Sequence, residues 1–394
     1  MRPVYVVGAG MTRFGRSEWP LVDLAATASL AALHHANLGK IPVDAVVVAN
    51  MGAGRINRQT AIASALVDRL SLWPAAAEAV ENGPASGASA VKVGYQAIAS
   101  GMADVVLVTG VEMMRAVDGL EATDFVASLS HPEAEYIYGV TLPSLAGLFA
   151  RLFMERHGVE RKHLALVAIK NHDNAMKNPY AHIHQPVTME GILTSPEAVV
   201  NNPPVAEPLH MFDCCPVSDG AAALVLASQD VAAKLGAPRV LVAGIGQATD
   251  THAVHERQDP TDLKAVRLAS AAAFDKAGLK PSDIDVAELH DAFTILEIAE
   301  SEAAGFFKVG QAHKAVERGE TKLTGKLPIN PSGGLKAKGH PVGATGVAQL
   351  VELVWQLRGE AGDRQIAKAK TAYACNFGGF GNNVVATVLR KEER

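Results

Sequence analysis

Short apolar runs that end in glycine alternate along this chain with longer stretches whose apolar residues recur every three or four positions. PVYVVGAG at 3–10 is followed by LVDLAATASLAALHHANL at 21–38, and PRVLVAGIG at 238–246 is followed by LKAVRLASAAAFDKAGL at 263–279. Runs of the first kind predict strands and the second spacing predicts amphipathic helices. Each helix leads into an Asp-marked strand, VDAVVVAN at 43–50 and IDVAELHDAF at 284–293. Each half then has a glycine-rich turn opening a helix, GPASGASAVKVGYQAIASG at 83–101 and GGLKAKGHPVGATGVAQLVELVWQL at 333–357. Each closes on an apolar strand after glycine, DGAAALVLAS at 219–228 and GNNVVATVLR at 381–390. The pattern is a duplication. With only two long copies it is not a solenoid. Alternating strands and helices predict an α/β fold with largely buried sheets, here two sheets packed through helices about a pseudo-twofold axis.

One stretch breaks the first copy. Residues 116–205 are richer in His, Met, Asn and Pro and contain two helical segments, LPSLAGLFARLFMERHG and KHLALVAIKNHDNAMKN. They read as an inserted loop domain of the kind that carries substrate-binding surface. The expected organisation is a first half at 1–115 plus 206–235, the insert at 116–205, and a second half at 236–394.

Composition narrows the class. Of 394 residues, 48% are apolar and 20% charged, which suits a globular protein with a large core and excludes a disordered one. The net charge of −5 gives no electrostatic reason to expect nucleic acid. Three cysteines, two of them adjacent at 214 and 215, cannot form a disulfide framework and suit a reducing cytoplasm. No apolar run reaches the roughly 18 residues that span a bilayer, so no membrane contact is expected. The N-terminus reads as a strand and not a signal peptide, and the final KEER matches no anchor or peroxisomal signal.

Three segments carry candidate chemistry. GGLKAKGHPVGATG at 333–346 holds His340 in a glycine-rich turn before a helix expected near Ala344. There, glycines let backbone approach a ligand and a helix N-terminus favours negative charge; the alternative is a structural turn. ELHDAF at 288–293 puts His290 at the carboxyl end of a strand, where α/β proteins tend to place catalytic groups, with Asp291 expected to cap the next helix. ACNFGGFGNN at 374–383 sets Cys375 ahead of a glycine-rich turn, against the alternative of a small core residue. Cys214 and Cys215 lack the spacing of a zinc site and read as packing beside the DGAAA strand. His182 and His184 have no partner at metal-site spacing and read as loop histidines, so no metal is expected. GAG at 8–10 lacks the third glycine of a dinucleotide fingerprint.

ELHDAF, GGLKAKGHPVGATG and the Cys-x-x-Gly-Gly-x-Gly pattern at 375–381, together with DCCPVSDGAAALVLAS, resemble the thiolase superfamily over nearly the whole chain, in the branch of sterol-carrier-protein-type thiolases and their bacterial and archaeal relatives. The resemblance implies duplicated βαβαβαββ halves in αβαβα layers with a loop domain, assembled as homodimers or dimers of dimers. It implies coenzyme A thioesters as substrates and no covalently bound cofactor. It puts His340 and His290, or a water held by His290, in an oxyanion hole and gives proton transfer to Cys375, where many members of this branch carry histidine. Pro84, Ser86, Gly87, Asn376, Gly378 and Gly379 fall in the matching substrate-contacting turns.

The departure from the family is at NGPASG, 82–87. Aligning on Ser86 and Gly87 puts Pro84 where the family has its acyl-accepting cysteine, and 75–95 contains no cysteine. Proline offers neither a nucleophile nor a backbone N–H. Ser86 lies two residues away and would need its own base. Enolate chemistry needs only a base and oxyanion donors, so the expected reaction makes or breaks a carbon–carbon bond beside a CoA thioester, of aldol or Claisen type. The pattern resembles some nucleophile-lacking thiolase relatives in steroid side-chain breakdown, which act as aldolases on CoA thioesters and tend to pair with a small zinc-containing OB-fold protein. The alternatives are acyl transfer through an atypical nucleophile and a non-catalytic acyl-CoA-binding subunit.

Overall fold

The structure is a computed structural model that describes residues 2–236 and 238–392. The first half runs β1 (Val4–Met11), α1 (Leu21–Ala36), β2 (Ala45–Ala49), α2 (Ile62–Arg69), β3 (Ala76–Val80), α3 (Ser86–Ser100) and β4 (Val105–Met113). The connection from β4 onward carries α4 (Gly119–Ala127), α5 (Leu142–His157) and α6 (Arg161–Ala175), and the chain returns as β5 (Asp219–Ser228). The second half runs β6 (Arg239–Thr249), α7 (Lys264–Ala277), β7 (Val286–Glu288), α8 (Thr294–Ala303), α9 (Gly334–Lys338), α10 (Val342–Arg358), β8 (Thr371–Gly378) and β9 (Asn383–Glu392).

The glycines of the two opening strands explain why the halves look alike. A Cβ at Gly8 would lie 2.2 Å from the Ala32 carbonyl oxygen, and one at Gly246 would lie 1.9 Å from that of Ala269. Each opening strand therefore lies closer to its following helix than a side chain allows, which is what GAG and GIG provide.

The strands follow the order β3-β2-β4-β5-β1-β6-β9-β8-β7. Two separate sheets were expected from the sequence. The hydrogen bonding instead continues from one half to the other, because β1 and β6 meet edge to edge through two residue pairs, Tyr5 with Leu241 and Val6 with Val240. Within the first half β2 is parallel to β3 and β4, and β5 runs antiparallel to β4 and β1. The second half repeats this, with a parallel bridge between Ala287 and Ile329 where β3 would recur.

Alternating side chains separate the layers. Val7, Val46, Leu107 and Val225 pack with α1 and α2, whereas Val6, Val47, Val106 and Leu226 face α3 and α10. In the second half Ala374 and Val385 face that same central layer, and Tyr373, Phe377 and Val384 face α7 and α8. The result is a mixed α/β fold of helix, sheet, helix, sheet and helix layers. α10 is buried at every residue, as a helix between two sheet faces must be. It crosses α3 so closely that a Cβ at Gly87 would come within 2.7 Å of the Gly346 nitrogen.

The segment 284–293, read from sequence as one strand, is a strand only over Val286–Glu288. Side chains then replace the ladder: Asn330 Oδ1 accepts the Leu289 N–H at 2.7 Å and Glu300 accepts the His290 N–H at 2.9 Å. No helix among the described residues is long and apolar enough to cross a membrane.

Candidate active site

The N-termini of α3 and α10 lead into one cavity of about 150 Å³. Its wall is mostly apolar, including Pro84, Met114, Leu129, Phe293, Val342, Phe377 and Phe380, with polar groups from Thr123, Cys214, Cys215, His290 and His340. A small number of polar groups in an apolar enclosure is the usual form of a small-molecule site.

His290 and His340 stand edge to face, with ring centroids 5.0 Å apart, and His290 stacks on Phe377. Hydrogen bonds set the tautomer of His290. Asn376 Oδ1 accepts the Ala88 N–H at 3.2 Å, so the Asn376 amide donates through Nδ2 to His290 Nδ1, also at 3.2 Å. Nδ1 is then an acceptor, and the ring proton sits on Nε2, free for the cavity. His340 Nδ1 lies 2.7 Å from the Thr345 hydroxyl, and its backbone N–H donates to Ser218 Oγ at 3.2 Å. The Thr345 hydroxyl also donates to Pro341 O at 3.0 Å, and in that arrangement His340 Nδ1–H donates to Thr345 Oγ1 and Nε2 is an acceptor.

Burial holds both rings neutral. It pushes His290 well below the usual histidine range, helped by His340, and His340 down to about 3, helped by Lys338. A neutral imidazole presenting Nε2–H, as His290 does, is suited to an oxyanion in a water-poor site.

A buried polar network clamps the segment that carries His290. Glu288 accepts from the Ser332 N–H and hydroxyl and from Lys338 Nζ at 3.3 Å. Asp291 was expected to cap α8. It instead accepts the Leu335 and Lys336 N–H groups at the start of α9 and the Asn171 amide. α8 begins at Phe293 with no side-chain cap, because Asp291 points to the nearer unsatisfied helix end.

The residues singled out from sequence divide into two groups. Pro84, His290, His340 and Gly379 line the cavity. Gly378, with Gly379, lines an open groove beside it together with Arg55, Asn82, Gly83, Asp250 and His252. Asn376 is buried behind His290 and acts on it. Ser86 is not on the wall: it is fully buried, donates to Gly83 O at 2.6 Å and accepts from Asn82 N–H at 2.7 Å, so its hydroxyl serves the turn. Gly87 is spent on the crossing with α10. Cys375 is fully buried within β8 and belongs to the side-chain layer facing α7 and α8, beside Glu300 and Tyr373. Burial and Glu300 push its thiol well above the ordinary range.

The wall also holds two residues that sequence reasoning set aside. Cys214 and Cys215 face the cavity because Cys215 N–H donates to Ala292 O at 2.9 Å and Cys214 bridges Phe293, laying this pair along the His290 segment. That pairing joins positions far apart in the chain, and no local signal announces it.

The chain's similarities agree with this fold and site. The family description "Thiolase, N-terminal domain" matches residues 4–230, and "Thiolase C-terminal domain-like" matches 246–391. An acetyl-CoA acetyltransferase of Methanothermobacter thermautotrophicus is 41% identical over 393 residues, covering 99% of this chain and 100% of that protein. Sterol carrier protein 2 of Bos taurus is 36% identical over 98% of this chain and 72% of its own length. Among solved structures, the "Ltp2-ChsH2(DUF35) aldolase" superposes with a TM-score of 0.83 at 24% identity, covering 100% of this chain and 98% of that one. Human mitochondrial 3-ketoacyl-CoA thiolase with CoA gives 0.73 at 21%, covering 100% and 98%. The chain belongs to the thiolase superfamily, in its sterol-carrier-protein-type branch. It is a thiolase-like enzyme.

Proposed function

We propose that this enzyme makes or breaks a carbon–carbon bond next to a CoA thioester through an enolate, in an aldol or Claisen-type reaction, without a covalent acyl-enzyme. The observation that carries the reading is Pro84 on the wall of the cavity that His290 and His340 also line. The ring brings no nucleophile and removes a backbone N–H at the start of α3. The His290 donor is kept, and one such donor is typically worth about 3–4 kcal/mol of barrier. The acetyl-CoA acetyltransferase relatives support an acyl-CoA substrate, and the aldolase of like fold supports the aldol branch.

Assembly belongs to the same reading. β3 ends the sheet order and its side chains are largely exposed, which supports a homodimer, or a dimer of dimers, built by edge pairing. A small zinc-containing OB-fold partner and a cytoplasmic location are part of the proposal. Acyl transfer through an atypical nucleophile is the second reading, favoured by the names of the archaeal relatives.

Intact-protein mass spectrometry after incubation with acetyl-CoA and longer acyl-CoAs tests the choice. No adduct, with binding detected and β-hydroxyacyl-CoA cleaved to a carbonyl compound and a shorter acyl-CoA, is the expected result. A stable acyl adduct on the wild-type chain overturns the reading in favour of acyl transfer.

A further inference from the structure

We propose that the carbon skeleton this cavity accepts is compact, apolar and uncharged, about six carbons at most, and that Phe380 sets the limit. The limit names the substrate class of the enolate reaction proposed above, and rests on that reading for placing the thioester in the cavity. The wall is graded from mouth to floor. Thr123 and Val217 are exposed and mark the opening. Leu142, Phe293, Leu296, Phe377 and Phe380 are buried and form the floor, and His290 is buried with them. An acyl chain that enters at the mouth and brings its thioester to His290 therefore ends among three phenylalanines.

Charge and volume decide what fits there. Among the described residues no Asp, Glu, Lys or Arg lines the wall, and burial holds His290 and His340 neutral. A carboxylate or ammonium on the chain would be buried without a counter-ion, which outweighs the gain from burying the chain. The cavity has a volume of about 150 Å³. An apolar cavity of about that volume holds a single benzene ring; a fused-ring steroid nucleus is several times larger.

The position of Phe380 is built in. Gly379 and Gly381 flank it with φ of 57° and 72°, the left-handed region that favours glycine, and so allow the turn that brings the ring onto the wall. The ring meets Phe149 of α5 edge to face at 5.8 Å between centroids, and Arg257 Nη2 donates to the Phe380 carbonyl at 2.7 Å. Phe377 is committed to His290 by stacking and Phe293 to Cys214 through its backbone. Phe380 is thus the floor aromatic that can be trimmed without moving the histidines.

The test is calorimetry with straight-chain acyl-CoAs from acetyl to dodecanoyl, with succinyl-CoA and a steroid-side-chain acyl-CoA beside them. Wild-type affinity should rise about fourfold per methylene as far as about six carbons and fall beyond. Succinyl-CoA should bind at least about tenfold more weakly than butyryl-CoA of equal chain length. Phe380→Ala should move the tightest-binding chain about two or more carbons longer, and Phe380→Leu, which keeps most of the floor filled, should move it less. Tightest wild-type binding by the dodecanoyl or steroid thioester, or equal binding of succinyl- and butyryl-CoA, overturns the substrate class. An unchanged length optimum in Phe380→Leu, and in Phe380→Ala where thermal unfolding shows it folded, overturns the role of Phe380. Binding needs no turnover, so the expected length profile with fitting β-hydroxyacyl-CoAs left uncleaved sinks the enolate reading and leaves the size limit standing.

Discussion

The two central helices are duplicates that enter one cavity with opposite consequences. α3 begins after Gly83-Pro84-Ala85, and α10 begins after His340-Pro341. Two residues before α10 stands His340, its imidazole held by Thr345 and its backbone N–H by Ser218. At α3 the matching corner is filled by a ring without chemistry, and the neighbouring amides are used inside the turn: Ala85 N–H goes to Asn82 O and Ser86 N–H to Gly83 O. On the reading proposed above, one helix start keeps an electrostatic function and the other is only wall, so holding an oxyanion and accepting an acyl group would be separable, each on its own copy of the repeat.

The sharpest way to break this asymmetry is Pro84→Cys. The substitution returns a thiol and a backbone N–H to the wall of the cavity that the two histidines line. We expect incubation with acetyl-CoA to take the protein from no adduct to a stoichiometric acetyl adduct, read by intact mass and mapped to position 84. If the variant folds and binds acetyl-CoA yet stays unacylated, the α3 corner lacks more than its nucleophile, and the two helix starts differ in geometry as well as in chemistry.

The sequence disclosed one side of this comparison better than the other. The duplication, the central helices and the pair His290 and His340 were legible because each rests on local pattern: apolar spacing, glycines before helices, and histidines in turns. Pro84 was legible as a departure within a recognisable motif. Cys375 shares its β8 face with Phe377, which lines the cavity, yet Cys375 itself sits deeper, beside Glu300 and Tyr373, a depth that no local pattern tells. The roles of Asp291, Cys214 and Cys215 were illegible because their partners lie far off in sequence, at Leu335, Phe293 and Ala292. The edge-to-edge join of β1 with β6 is likewise a tertiary fact.

Asn376 gives the next largest effect, and it sharpens what the α10 side supplies. Its amide makes His290 Nδ1 an acceptor and so keeps the proton on Nε2. In Asn376→Asp a carboxylate would take a hydrogen bond from Nδ1–H and move the ring proton away from the cavity. One oxyanion donor lost costs about 10²- to 10³-fold in rate. We expect a loss of that order in acetyl-CoA deuterium exchange, with binding nearly unchanged. Asn376→Gln, if it reaches the ring, should recover part of it. Equal exchange in wild type and Asn376→Asp would mean that His290 is not a donor to the enolate.

The smallest effect concerns stability and follows from the neutral state of the same histidines. His340 in the unfolded chain takes a proton near the ordinary histidine value of about 6.5, while in the fold burial holds it down to about 3. Between these values the unfolded chain binds more protons, so the contribution is full above about pH 6.5 and is lost as pH falls toward about 3. The slope is at most about 1.4 kcal/mol per pH unit for one group. His290, also depressed by burial, acts in the same direction. Glu112 and Asp291, each raised to about 7 by burial, act oppositely, because their contribution is present at low pH and is lost as pH rises through about 7. The wild-type profile is therefore a sum, and a difference isolates the histidine. His340→Asn keeps a polar side chain beside Thr345 but cannot titrate. Thermal or denaturant unfolding of the two proteins between about pH 6.5 and about pH 4 should show the wild type losing stability more steeply, by up to about 1.4 kcal/mol per unit. Parallel curves would mean that over this range His340 takes its proton in the fold as readily as in the unfolded chain. The α10 corner would then be a cationic site, and its contrast with the α3 corner would be one of charge.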